Sequence, residues 1–301
     1  MDRREFIWSA AALGAVSGLS GCLTSVGDGR RVLLGACRGP DDVALMKSVG
    51  YDFWEWTVPE AFDPSKDDEW WKRQRDRLAA LPLPLRSCNS FIPWTFRLTG
   101  PKADPEPALA YAETVLRRAD EAGVEMIVFG SGGARNVPGD YTSGERPDIE
   151  KGERQFVGFC RTLCERVADL ETVKVVIEPL CPNESNIVNF VWQGARICEE
   201  VASPRLALLA DFYHMMRGGE DAASILRSGG LLRHCHVADF GTRLYPGADP
   251  RVTDRLRPYF SALRAIGYAG GVSCECGWDD GKGLAKGLET ALATMRSCLG
   301  I

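Results

Sequence analysis

Histidine is scarce in this chain: among 301 residues it occurs only as His214, His234 and His236. A phosphodiesterase site built on three zinc ions draws on many imidazoles, so three in total argue against one. Excess positive charge is also lacking. The net charge is −5, with no basic footprint to neutralise a phosphate backbone, and no nucleic-acid partner is expected. The eleven cysteines include no Cys-x-x-Cys pair, which argues against a disulfide framework. A glycine-rich phosphate turn is missing after the first apolar run, where Gly35-Ala36-Cys37-Arg38-Gly39 is a poor match. That speaks against an open, doubly wound dinucleotide-binding sheet. No internal repeat beyond a strand–helix unit and no low-complexity segment is present.

The N-terminus carries an address. Arg3-Arg4-Glu5-Phe6-Ile7 leads into a weakly apolar run that ends in Leu19-Ser20-Gly21-Cys22. It resembles a twin-arginine signal joined to a lipobox. The run is too short for an ordinary membrane span, and small residues before a cysteine suit cleavage and lipidation of Cys22. An uncleaved N-terminal helix is the plainer alternative. The resemblance implies residues 1–22 as signal, 23–30 as tether and 31–301 as the folded domain of a periplasmic or cell-surface lipoprotein, touching the membrane only through its anchor. Twin-arginine export carries folded proteins, so the remaining thiols are expected to be buried and free rather than to form a disulfide framework.

From residue 31 onward, short β-branched or apolar runs alternate with amphipathic stretches, the pattern of successive βα units. The runs are 31–37, 51–57, 85–89, 125–129, 173–178, 206–211, 232–237 and 271–275. Helical patterns fall at 41–49, 67–80, 105–122, 152–168, 187–201, 252–266 and 284–298. Eight strands with intervening helices predict a single-domain (β/α)8 barrel, and about 250 residues suffice for one. The longest irregular connection, 130–151, follows the fourth strand. It belongs on the C-terminal face of the barrel, where it is long enough to be a lid.

Four side chains able to bind a metal close four consecutive strands. Glu178 ends the fifth just before Pro179, Asp211 ends the sixth, His236 the seventh and Glu275 the eighth. Each has an ordinary reading alone: a carboxylate at a strand end caps a helix, and a histidine on an apolar strand is a hydrogen-bonded core residue. Together, three acids converging at one barrel mouth would repel unless a cation sits between them. Period two turns Glu275 inward and Cys274 and Cys276 toward the helix layer. It also places His234 on the inward face one layer below His236, as a packed or supporting residue. Trp54, Trp56, Phe91 and Trp94 stand near the ends of the second and third strands, either as faces for a sugar ring or as core packing.

These motifs resemble the xylose isomerase-like barrel superfamily, particularly its sugar isomerase and epimerase branch, over about residues 31–298. The resemblance rests on Ile177-Glu178-Pro179-Leu180, Leu209-Ala210-Asp211-Phe212-Tyr213-His214, His234-Cys235-His236-Val237-Ala238-Asp239, Arg243-Leu244-Tyr245-Pro246-Gly247, and Ala265-Ile266-Gly267-Tyr268 leading to Cys274-Glu275. It implies that Glu178, Asp211, His236 and Glu275 bind one divalent ion, usually manganese, magnesium or cobalt. It also implies that Glu178 and Glu275 act as acid and base, and that Glu184, His214 and Arg243 hold substrate hydroxyls. Gly241-Thr242 makes the step from His236 to Arg243 one residue longer than the pattern.

The reaction so implied is metal-dependent isomerisation or epimerisation, a proton transfer beside a carbonyl through an enediolate. Export favours a non-phosphorylated sugar or sugar derivative as the small-molecule substrate. A lyase on keto-sugars or keto-glycosides would start with the same C–H abstraction and is the alternative. An AP-endonuclease-like phosphodiesterase ranks third, and a sugar-binding lipoprotein on a decayed barrel is disfavoured by the intact ligand set. The sequence leaves oligomeric state open.

Overall fold

The computed structural model describes residues 31–139, 146–278 and 281–301. The signal, tether and Cys22 lie outside them. Strands β1 (Leu33–Cys37), β2 (Phe53–Thr57), β3 (Leu85–Asn89), β4 (Met126–Phe129), β5 (Lys174–Ile177), β6 (Leu206–Asp211), β7 (Leu232–Val237) and β8 (Gly271–Cys274) pair in sequence order. All neighbours are parallel, and β8 closes onto β1. The chain from Arg31 to Ile301 is thus one (β/α)8 barrel.

Alternation sorts the side chains into two cores. Outward residues such as Trp54, Trp56, Cys235 and Cys274 join the large apolar layer between sheet and helices. Cys274 Sγ, for example, lies 3.7 Å from Met295 Sδ on the helix Leu284–Leu299. Inside the barrel, Met126, Val128, Val176, Ala207 and Leu209 fill the side under β4 to β6. The opposite side is polar: Glu55, Ser87, His234, His236 and Ser273 are all fully buried. Phe53 enters the barrel where Gly35 and Gly271 leave room, since a Cβ on Gly35 would overlap its ring.

Boundaries differ from the sequence reading for local reasons. Pairing of β1 starts at Leu33, because Arg31 instead reaches sideways to Asp52. Glu178 and Glu275 lie one residue past the ends of β5 and β8. The expected helix at 152–168 begins at Ile149, where Asp148 caps it by accepting from Lys151 N. The expected helix at 187–201 begins at Val191, after a loop in which Val188 takes positive φ. The expected helix at 252–266 is broken: Pro250–Thr253, a 3-10 turn, then Arg257–Ala265 with Pro258 in its first turn. A proline cannot donate its missing N–H into a continuous ladder. Two helices after β6, Phe212–Gly218 and Ala223–Ser228, were not anticipated. The described part of the connection at 130–151 includes the short helix Gly132–Arg135 and the start of the helix at Ile149, and residues 140–145 lie outside the described chain.

All ten cysteines of the described chain are free, and all but Cys37 and Cys276 are buried. Among the described residues, no helix is long and apolar enough to cross a membrane.

Candidate metal centre

Glu178, Asp211, His236 and Glu275 converge at the C-terminal mouth of the barrel, each offering a ligand atom within 4.8 Å of the others. Asp211 caps the helix that follows β6 with one oxygen and leaves the other bare. Its Oδ1 accepts from Tyr213 N at 2.7 Å and His214 N at 3.4 Å as the helix cap, while its Oδ2 is buried with no hydrogen-bond partner. A buried carboxylate oxygen left bare is costly without a cation or donor. Glu178 approaches the cluster past Gly130, where any Cβ would strike Glu178 Oε2. His236 turns Nδ1 toward the acids, 3.0 Å from Glu178 Oε1 and 3.6 Å from Glu275 Oε2.

The support beneath His236 was missed by sequence reasoning. Glu55, on β2, is fully buried under the cluster. Its Oε2 accepts from His234 Nε2 at 2.9 Å and from Ser87 Oγ. Its Oε1 lies 2.9 Å from His236 Nε2 in a fully buried ion pair. A carboxylate on the far nitrogen of a ligand histidine holds the proton there and leaves the near nitrogen free for an ion. Asn89, the last residue of β3, was also missed; its Nδ2 donates to Glu275 Oε1 at 2.7 Å. The usable signals were the alternation in Phe53-Trp54-Glu55-Trp56, which puts the acid inside, and a polar residue closing β3 as on later strands.

The aromatic candidates separate. Trp54, Trp56 and Phe91 are core residues, buried to 8% exposure or less, so they offer no face to a sugar. Trp94 is 71% exposed and borders the cavity over the cluster. That cavity measures about 450 Å³ and also meets Glu184, His214 and Arg243. His214 Nδ1 accepts from Cys181 N at 3.3 Å, which places the ring proton on Nε2, facing Asp211 Oδ2 at 3.7 Å and Glu184 Oε2 at 3.9 Å. Arg243 reaches the site despite the extra residue before it, because Gly241 and Arg243 itself take positive φ and absorb the length. Its Nη1 donates to Glu184 Oε1 at 2.8 Å, Nη2 lies 3.5 Å from Glu275 Oε2, and the guanidinium covers the Tyr213 ring at 4.7 Å. The buried Arg135 serves the scaffold, donating to the carbonyls of Phe129, Glu178 and Val188.

Burial and mutual repulsion dominate the acids. Burial pushes the Asp211 carboxyl up to about 6, and burial followed by the Glu275 charge raises that of Glu178. Burial also opposes ionisation of Glu275, but His236 and then Arg243 outweigh it and hold this carboxyl at about 2. His236 is raised well above the usual imidazole range: burial works against its charge, and Glu55, Glu275 and Glu178 overcome it. Without an ion, a proton on His236 thus offsets part of the acidic charge. A dication among the same oxygens would offset more and favour ionised acids. Three carboxylates, one of them with a bare buried oxygen, and one imidazole fit a single divalent ion.

Residues 43–298 match the xylose isomerase-like TIM barrel family. The chain belongs to that family. It is 30% identical over 148 residues to 3-dehydro-D-guloside 4-epimerase of Escherichia coli (strain K12), a stretch of 49% of this chain and 55% of the relative. It is 27% identical over 183 residues to a probable ketose 3-epimerase of Synechocystis sp., 60% of each chain. The chain therefore matches little more than half the length of these curated relatives. Among solved structures, D-psicose 3-epimerase from Clostridium cellulolyticum H10 with D-tagatose superposes with a TM-score of 0.75 at 19% identity, over 89% of this chain and 99% of that one. The IolI protein with a binding zinc atom does so with a TM-score of 0.67 at 16% identity, over 89% and 98%. These two likenesses are likenesses of fold.

Proposed function

We propose that the chain is a divalent-metal-dependent sugar epimerase or isomerase acting on a non-phosphorylated sugar or sugar derivative. The observation that carries this reading is the cluster of Glu178, Asp211, His236 and Glu275 at the barrel mouth, with a bare buried oxygen on Asp211. The epimerase relatives support the same reaction class. Bound there, manganese, magnesium or cobalt would polarise a substrate carbonyl and acidify the neighbouring C–H.

The chain's own residues supply the rest. Glu178 and Glu275 lie 3.0 and 3.6 Å from His236 Nδ1, and in this reading one removes a proton from one face of the sugar and the other returns one to the opposite face. Arg243 lowers the cost of keeping Glu275 ionised as a base. His214 Nε2–H and Glu184 line the cavity as a donor and an acceptor for hydroxyls, and Trp94 offers a ring face beside them. Glu55 and His234 hold His236 from below.

The test is an assay of the metal-loaded protein against free ketoses and 3-keto-glycosides. Interconversion of epimers without loss of a group supports the proposal, and release of a β-leaving group would make the enzyme a lyase instead. The twin-arginine and lipobox motifs support a further part of the reading, export with a lipid on Cys22.

A further inference from the structure

The proposed reaction asks two things of Glu275: an oxygen for the ion, and a lone pair that meets a carbon-bound proton. The terminal torsion of a glutamate is broad, so an unrestrained carboxylate exchanges its two oxygens. Something has to assign them. Oε2 lies 3.6 Å from His236 Nδ1 and 3.5 Å from Arg243 Nη2, so it faces the candidate ligands. Oε1 accepts instead from Asn89 Nδ2 at 2.7 Å.

Asn89 is built to hold that bond. It is the last residue of β3, in register with Thr57 of β2, and only 6% exposed. β2 and β1 separate β3 from β8 around the barrel, so the amide reaches Glu275 past the ends of two strands. The same nitrogen lies 3.4 Å from Cys37 Sγ at the end of β1, which gives each of its hydrogens an acceptor. The carboxylate also fixes which way the amide points, because a reversed amide would set its oxygen against Glu275 Oε1 with no proton between them. Immediately after Asn89 the chain turns through Ser90, whose φ of 58° is left-handed. A serine stays in that region only where its surroundings require it, and such strain gathers at functional sites.

Glu178 is held differently. Its Oε1 lies 3.0 Å from His236 Nδ1, and its Oε2 packs against Gly130. Among the described residues, no side-chain amide or hydroxyl donates to it. The two glutamates of the site thus differ in one respect that chemistry can read: Asn89 serves Glu275 alone.

We infer that Asn89 is a positioning residue that acts through Glu275: its amide locks the carboxylate, commits Oε2 to the ion and holds Oε1 for the proton. The inference rests on the epimerase reading, in which Glu275 serves one face of the sugar and Glu178 the other. A carboxylate oxygen has a second lone pair, so Oε1 can accept from Asn89 and still take a proton. The carbon-bound proton moves to Oε1, its electron pair passes into the enediolate, and Glu178 returns a proton on the opposite face. Asn89 then matters for the proton on one face and not for the other.

The experiment compares the manganese-loaded wild-type protein with Asn89→Leu, which keeps the volume without the donor, and with Asn89→Ala, which leaves space instead. Each is incubated in deuterium oxide with either member of a pair of epimers that the wild-type protein interconverts. In a two-base site each base exchanges the proton of its own epimer with solvent even when the other base is impaired. Loss of the amide is expected to lower kcat by about 10- to 100-fold, the scale of a misplaced catalytic group, with KM and manganese affinity within about threefold of wild type. Deuterium uptake into unreacted sugar should persist for the epimer that Glu178 deprotonates and fall with kcat for the one that Glu275 deprotonates. Equal loss from both epimers, manganese affinity falling in step with kcat, or wild-type kcat in the variants would overturn the inference and leave the epimerase reading intact. A wild-type protein that exchanges no proton of any sugar offered would remove the epimerase reading, and this inference with it.

Discussion

At the scale of single residues, the two ring nitrogens of His236 face different partners: Nδ1 the candidate ligand carboxylates, Nε2 the buried Glu55. Glu55 holds its charge against complete burial because His236 and His234 more than offset the desolvation, which keeps its carboxyl below the usual range. Replacing it with Gln removes that charge with almost no change of shape. Glu55→Gln is expected to weaken manganese binding by about 10- to 100-fold, the usual cost of losing a carboxylate behind a ligand histidine. Titration calorimetry checks this, and an unchanged dissociation constant would show that Glu55 only fills space. Glu275 has the opposite exposure, facing the cavity with Asn89 on one oxygen and the cluster on the other. Glu275→Gln should lower kcat by about 10²- to 10⁴-fold, the range lost with a general acid or base, while the protein still melts cooperatively. Near-wild-type turnover would remove Glu275 from the proton transfer.

At the scale of elements, the strands deliver the chemistry and the connections hide it. All eight strands were legible because a barrel strand is a short apolar run, and the four candidate ligands stood out because each stands within a residue of the C-terminal end of one. Glu55 was obscured by its neighbours, since Trp54 and Trp56 suggest a sugar platform until alternation assigns both to the helix layer and leaves the acid inside. The helices after β6 were not legible because Gly218-Gly219 and Asp221 split the pattern into pieces of seven and six residues, too short for a clear period. The role of Gly130 could not be read at all, since it depends on where Glu178 points. Placing a methyl there drives Glu178 Oε2 from its position. Gly130→Ala is therefore expected to raise the metal dissociation constant while leaving the far-ultraviolet circular dichroism of the barrel unchanged, and wild-type affinity in this variant would contradict the close approach.

At the scale of the whole molecule, one barrel holds the entire candidate site, and the proposed lipid on Cys22 would tether that barrel to a membrane. Cys22→Ala is expected to abolish incorporation of labelled palmitate and to release the protein from the membrane fraction; unchanged labelling would place the lipid elsewhere or remove it from the account. The central claim is narrower: a divalent ion in this cluster and two glutamates exchange a carbon-bound proton of a sugar. It is tested most directly by incubating the metal-loaded protein with ketoses and 3-keto-glycosides in deuterium oxide and following the products by NMR and mass. The account predicts an epimer carrying one deuterium at the carbon beside the carbonyl, lost on chelation and restored by manganese, magnesium or cobalt. Conversion that proceeds equally without metal, or an epimer formed with no deuterium taken up, would contradict it.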